Sequence, residues 1–179
     1  MRQLAKFIYF RVMGWKLVGH FPDVDKCVVI VVPHTHWHDF PLGLIIRKIM
    51  GKDIHYIAKK SLFKPPFGFI FKSTGGTPVD RSRNNNFVEA VADIFKKHKV
   101  FRLALAPEGT RKKVSALKTG FYYIAKSANV PIVMVAFDFG KKEVKISQPF
   151  HPTENKEEDF QTIHAFFKGV VGRVPEYSF

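Results

Sequence analysis

Cysteine is nearly absent: Cys27 stands alone in 179 residues. One thiol forms neither an internal disulfide nor a thiolate-type zinc cluster, and its place in an apolar run suits a small buried residue. Nothing in the cysteine content points to an oxidising compartment. Glycine (12) and proline (11) are too scarce for a collagen-like or low-complexity chain, and 46% hydrophobic with 25% charged residues describes a chain that folds. The length suits one domain with a real core and is short for two. Long apolar runs are missing as well. The stretch MRQLAKFIYFRVMGWKLVGHF is interrupted by Arg11 and Lys16 well before the roughly 18 residues a membrane span needs, and no small-residue cleavage site follows. It reads as neither a span nor a signal peptide.

Acidic residues are the other shortage. There are 15 against 29 Lys and Arg, a formal charge of +14. That balance favours contact with something anionic: nucleic acid, a phospholipid surface or a phosphorylated substrate. Phenylalanine, by contrast, is abundant. Its 19 copies exceed what a core of this size needs, so some are expected to face a partner or lipid. On a helix, Leu4, Phe7, Ile8, Val12, Trp15 and Val18 share one face and Arg2, Lys6 and Lys16 lie opposite. Residues 1–22 therefore read as an amphipathic segment, either lying in a membrane interface or packed on the protein's own core.

Beyond it, strand and helix patterns alternate. Strands are expected at CVVIVV (27–32), 54–58, TPVD (77–80), 101–106, 132–137 and 143–147. Helices are expected at 39–50, at 84–98, at 117–128 and at about 156–168, with a Phe/Pro/Gly-rich loop over SLFKPPFGFIFKSTGG. Such alternation predicts a single α/β domain with a mainly parallel central sheet flanked by helices. Residues 23–150 form the expected catalytic core and 151–179 a C-terminal helix and tail.

The densest polar cluster, PHTHWHDF, follows the 27–32 strand and carries His34, His36, His38 and Asp39. Working groups of open α/β sheets lie beyond the carboxyl ends of strands, and this is such an end. Two chemistries compete for it. A histidine held in one tautomer by Asp39 is a general base; alternating histidines with an aspartate resemble the ligand set of a zinc hydrolase. On the same edge lie PEGTR (107–111) after the 101–106 strand, Lys59 and Lys60 after the 54–58 strand, and Arg81 beyond TPVD. Basic side chains with backbone amides at Gly109 or Gly76 would make a phosphate cradle.

His34-x4-Asp39, then GGTPVDR (75–81), PEGTR (107–111) and VPIVMVAF (130–137), in this order, resemble the four-block pattern of the glycerolipid acyltransferase family, whose best-known members are 1-acylglycerol-3-phosphate acyltransferases. The resemblance covers about residues 28–137. It implies His34 as the base taking the acceptor's hydroxyl proton and Asp39 as its orienting partner. It implies Arg81, Glu108 and Gly109 as groups serving a phosphorylated acceptor, with Thr110 and Arg111 completing the block. Pro131 occupies the fourth-block proline, a position linked to the acyl chain or the pocket's shape. Pro33 departs from the pattern, which often has Asn before the histidine. The implied activity is O-acyl transfer from a thioester, acyl-CoA or acyl carrier protein, to a lysophospholipid or glycerophosphate hydroxyl, with no metal or organic cofactor. A peripheral place on the inner, cytoplasmic face of the membrane suits the charge. A basic nucleic-acid module is the alternative from another class, but no nucleic-acid-binding motif is present.

Overall fold

β-branched side chains pack well on a pleated surface, and the run CVVIVV occupies the middle of the sheet. The structure, a computed structural model, describes residues 1–66, 68–79 and 87–178. Among them seven strands, β1 (Lys16–Val18), β2 (Lys26–Val32), β3 (His55–Lys59), β4 (Gly76–Val79), β5 (Phe101–Leu105), β6 (Ile132–Asp138) and β7 (Glu143–Ile146), form one sheet in the order β1-β7-β6-β2-β5-β3-β4. β2 to β6 run parallel; β7 pairs antiparallel with β6, and β1 runs with β7.

Alternation along β2 divides the core. Val28, Ile30 and Val32 face a layer built by α4 (Phe87–Lys97), α5 (Gly120–Ala128) and α6 (Lys156–Phe167), with Val91, Phe95, Phe121, Ile124, Ile163 and Phe167 buried there. Cys27 and Val29 face the opposite layer, where α2 (Asp39–Met50) presents Leu42, Ile46 and Ile49. Gly51, in left-handed conformation, caps α2 through its N–H to Arg47 O.

Two expectations change. The N-terminal helix is shorter than residues 1–22: α1 (Arg2–Phe7) runs into a π-helical stretch, Ile8–Val12, and the chain then turns to add β1 to the edge of the sheet. Trp15 and Val18 therefore do not share a helical face with Leu4. Tyr9 and Trp15 are buried toward the sheet, and Arg2 Nε donates to Ile49 O at 2.9 Å, tying α1 to α2. Leu4, Phe7, Phe10 and Val12 stay exposed. The segment between β3 and β4, expected as loop, holds a 3-10 turn (Lys60–Phe63) and α3 (Gly68–Ser73). The helix expected at 84–98 is present as α4 from Phe87 onward, and residues 84–86 lie outside the described residues. No helix among the described residues is long and apolar enough to cross a membrane.

Candidate active site

β2 delivers the chain to the carboxyl edge of the sheet, where residues 33–38 turn before α2 begins at Asp39. Asp39 is 3% exposed, and one oxygen organises the whole turn. Its Oδ2 accepts the N–H groups of Thr35 and His36, both at 2.9 Å, and lies 3.0 Å from His34 Nδ1. A carboxylate in the first turn of a helix is also favoured by the helix dipole. Donation from Nδ1 to the carboxylate makes that nitrogen the protonated one, which leaves Nε2 with a free lone pair. The His34 ring is one-quarter exposed and lines a cavity.

The second loop arrives by register. Ile30 pairs with Leu105, so residues 106–108 run alongside the end of β2. Glu108 is 2% exposed, and its Oε2 accepts the backbone N–H of His34 at 2.6 Å. Burial pushes its carboxyl up to about 7; the bond from His34 opposes this shift and the charge of Asp39 adds to it. Glu108 thus ties the two loops together through His34 N–H. Gly109 has φ +68°, and its N–H already donates to Ala106 O, so it offers a turn rather than a free amide. A Cβ there would meet Lys118 Nζ at 2.6 Å. The Lys118 side chain therefore lies across the PEGTR turn, a cation that motif reading had not placed at the site.

Thr110 and Arg111 line the same cavity as His34. It measures about 720 Å³ and is walled mainly by apolar side chains. From His34 and Trp37 at the carboxyl edge it follows α2 between helix and sheet, past Val29, Val31 and Ile46, to Phe21, Met50 and Ile54 at the far end. The 12 residues of α2 make that path about 18 Å long at 1.5 Å per residue. Asp39, Gly43 and Arg47, at successive i, i+4 positions, all face it. Arg47 is a further residue the motifs missed. Its guanidinium donates to Thr74 O and pairs with Asp53, fastening α2 to the turn before β4. The i, i+4, i+8 spacing on a predicted helix was the available signal.

Pro131 and Gly76 fall elsewhere. Pro131 is buried at the amino end of β6, where its carbonyl accepts Val28 N–H, at the opposite edge of the sheet from His34. It does not line the cavity. Gly76 opens β4 at that same amino edge, against the Tyr56 ring and Phe71 O, and builds no phosphate cradle. Lys59 closes β3 on the His34 side of the sheet; its side chain, like Arg81, lies outside the described residues. His36 Nδ1 accepts His38 N–H at 3.3 Å, and both rings pack on Trp37. Among the described residues no group of three His, Cys, Asp or Glu side chains is placed to hold a metal, so the zinc reading finds no ligand set.

The chain is similar to known acyltransferases. The chain is 29% identical over 144 residues to the 1-acyl-sn-glycerol-3-phosphate acyltransferase of Bacillus subtilis, spanning 73% of this chain and 70% of that one. It is 32% identical over 99 residues to the enzyme of the same name from Salmonella typhimurium, spanning 51% of this chain and 40% of that one. The crystal structure of the 1-acyl-sn-glycerophosphate (LPA) acyltransferase PlsC from Thermotoga maritima matches in fold with a TM-score of 0.64, over 92% of this chain and 74% of that chain at 21% identity. The acyltransferase family model matches residues 17–138, from β1 through the His34 and Glu108 loops to the end of β6, and the chain belongs to that family.

Proposed function

We propose that this acyltransferase moves a fatty acyl group from a thioester, acyl-CoA or acyl carrier protein, to the free hydroxyl of a 1-acylglycerol-3-phosphate-type acceptor. The observation that carries the reading is the His34 ring, held at 3.0 Å by buried Asp39 and set at the polar end of a 720 Å³ apolar cavity. An alcohol is a weak nucleophile at neutral pH, and a positioned base contributes about 10²–10⁴ in rate. His34 Nε2 takes the hydroxyl proton as the oxygen attacks the thioester carbonyl. The tetrahedral intermediate collapses, the C–S bond breaks, and the imidazolium returns the proton to the departing thiolate. Asp39 holds the ring and offsets its transient positive charge.

The cavity suits a fatty chain, since each methylene taken from water contributes about 0.8 kcal/mol. Arg111 at its mouth and Lys118 beside Gly109 suit an anionic head group or donor. Exposed Leu4 and Phe7 on the first helix, Phe10 in the π-helical stretch after it, and Trp37 and Leu62 lining the cavity, with the +14 charge, support a peripheral place on the cytoplasmic face of a membrane. Purified protein is incubated with 1-acylglycerol-3-phosphate and each donor in turn, and products are identified by mass. Diacylated product that disappears in His34→Ala supports the reading. No product with either donor, or full activity in His34→Ala, overturns it.

A further inference from the structure

Thr35 sits between the reacting histidine and a segment far away in the chain. Its backbone N–H donates to Asp39 Oδ2 at 2.9 Å, while its Oγ1 accepts the N–H of Val174 at 3.1 Å. The side chain is 4% exposed and does not line the cavity. Behind it Gly172 approaches so closely that a Cβ would lie 2.8 Å from both Thr35 Cγ2 and Oγ1, and 3.1 Å from Pro33 Cγ. The approaching segment is itself anchored twice. Val171 O accepts Phe139 N–H at 2.7 Å just past the end of β6, and Gly172 N–H donates to Ser178 Oγ at 2.9 Å. A 3-10 turn at Pro175–Tyr177 follows, with proline at its start.

We infer that residues 171–178 form a brace that positions the catalytic loop, with Thr35 as the positioning residue through which it acts. The inference rests on the His34–Asp39 reading above. Residues 33–35 carry no helical or strand hydrogen bonds of their own, so the orientation of His34 is set by what the loop is tied to. On one side it is tied to Glu108 and Asp39. On the other, the Thr35 hydroxyl and the close contact with Gly172 fix the height of the loop above the sheet. Because neither residue touches the cavity, losing the brace is expected to disturb the reaction and not substrate binding.

Thr35→Val keeps the shape and removes the acceptor, Thr35→Ser keeps the acceptor, and Gly172→Ala drives a methyl group into the loop. Initial rates are measured across donor and acceptor concentrations, with thermal melts in parallel. Expected is a fall in kcat of about three- to ten-fold for Thr35→Val, the worth of one hydrogen bond. KM should be unchanged and Thr35→Ser should recover most of kcat. Gly172→Ala is expected to lower kcat at least as much. Wild-type kcat in both Thr35→Val and Gly172→Ala, or a loss in Thr35→Val that Thr35→Ser shares, overturns the brace. His34→Ala run beside them separates the two ideas: if it is inactive while the loop variants are normal, only the brace fails, and if it is active the catalytic reading itself fails.

Discussion

Asp39→Asn isolates the charge from the scaffold. The buried Oδ2 holds two backbone N–H groups and the His34 ring, while Oδ1 has no partner among the described residues. An asparagine carbonyl in the Oδ2 position accepts the same donors, and its NH₂ takes the Oδ1 place, so the turn persists. What disappears is the anion facing the imidazolium. At 3.0 Å and an effective dielectric of about 20, their attraction is about 5–6 kcal/mol. That is an upper bound of about 10⁴ in rate, and the quarter exposure of His34 trims it by screening. The expected fall in kcat is therefore about 10²–10⁴, with KM for the donor little changed. Asp39→Ala is the less informative substitution. It strips both N–H groups of a charged acceptor, at about 1.5–3 kcal/mol each, a large part of a typical stability of 5–15 kcal/mol.

Release of the donor's thiol, followed with a thiol-reactive chromogen, reads the rate directly. The protein's own thiol is silent in that assay, because Cys27 is fully buried and burial pushes it up to about 12. A folded Asp39→Asn enzyme within tenfold of wild-type kcat would refute the reasoning, since the aspartate would then be a loop anchor and no more.

Glu108 makes stability depend on pH. Its folded value of about 7 lies above the ordinary value of 4.5, so the native state binds more protons between them, and stability present below about 4.5 declines as pH rises through 7. Glu108→Gln keeps an acceptor for His34 N–H and should lose that decline in denaturant titrations run from pH 4.5 to 8; parallel slopes in the two proteins would count against it. His36→Ala and His38→Ala are expected to keep most of kcat, because these rings pack on Trp37 and, of the three rings, it is His34's that reaches Asp39; a loss matching that of His34→Ala would contradict this. Gly43→Leu projects into the cavity, where a Cβ meets nothing nearer than the Phe137 ring at 3.8 Å. Displacing about three methylenes costs long-chain donors about 2–3 kcal/mol, roughly 50-fold in kcat/KM, and spares short ones; equal effects on both would remove the acyl chain from this cavity.

What could be read from residues alone follows the range of the interactions. β2 and α2 were legible because their signals are local: a β-branched run, an apolar period near 3.6 and an acid at the helix start. The His34–Asp39 pair was legible for the same reason, since five positions bridge a turn. Glu108 was not. Its inward orientation depends on the Ile30–Leu105 register, a contact between strands 75 positions apart. The N-terminal segment misled because a 3.6-residue period continues arithmetically through Trp15 and Val18. Gly14, at φ +66°, breaks the chain's direction there, and the edge of the sheet offers Lys16–Val18 hydrogen bonds that no helix supplies. The reversal of β7 carried an unused local signal. Four residues separate Asp138 from Glu143, whereas a parallel crossover needs a dozen or more.

The same connectivity explains why the site lies between β2 and β5. From β2 the chain leaves through α2 on one face of the sheet; from β5 it leaves through α5 on the other. Neighbouring strands whose exits diverge leave a crevice at their carboxyl ends that no helix fills. His34 and the Glu108–Arg111 turn are the first residues after those two strands, so topology brings them together before side-chain chemistry does. α2 then roofs the apolar side of the crevice, which turns a polar gap into a long cavity with one reactive end. A variant that moved α2 away from the sheet while leaving His34 and Asp39 in contact would be expected to keep the base and lose selection among acyl chains.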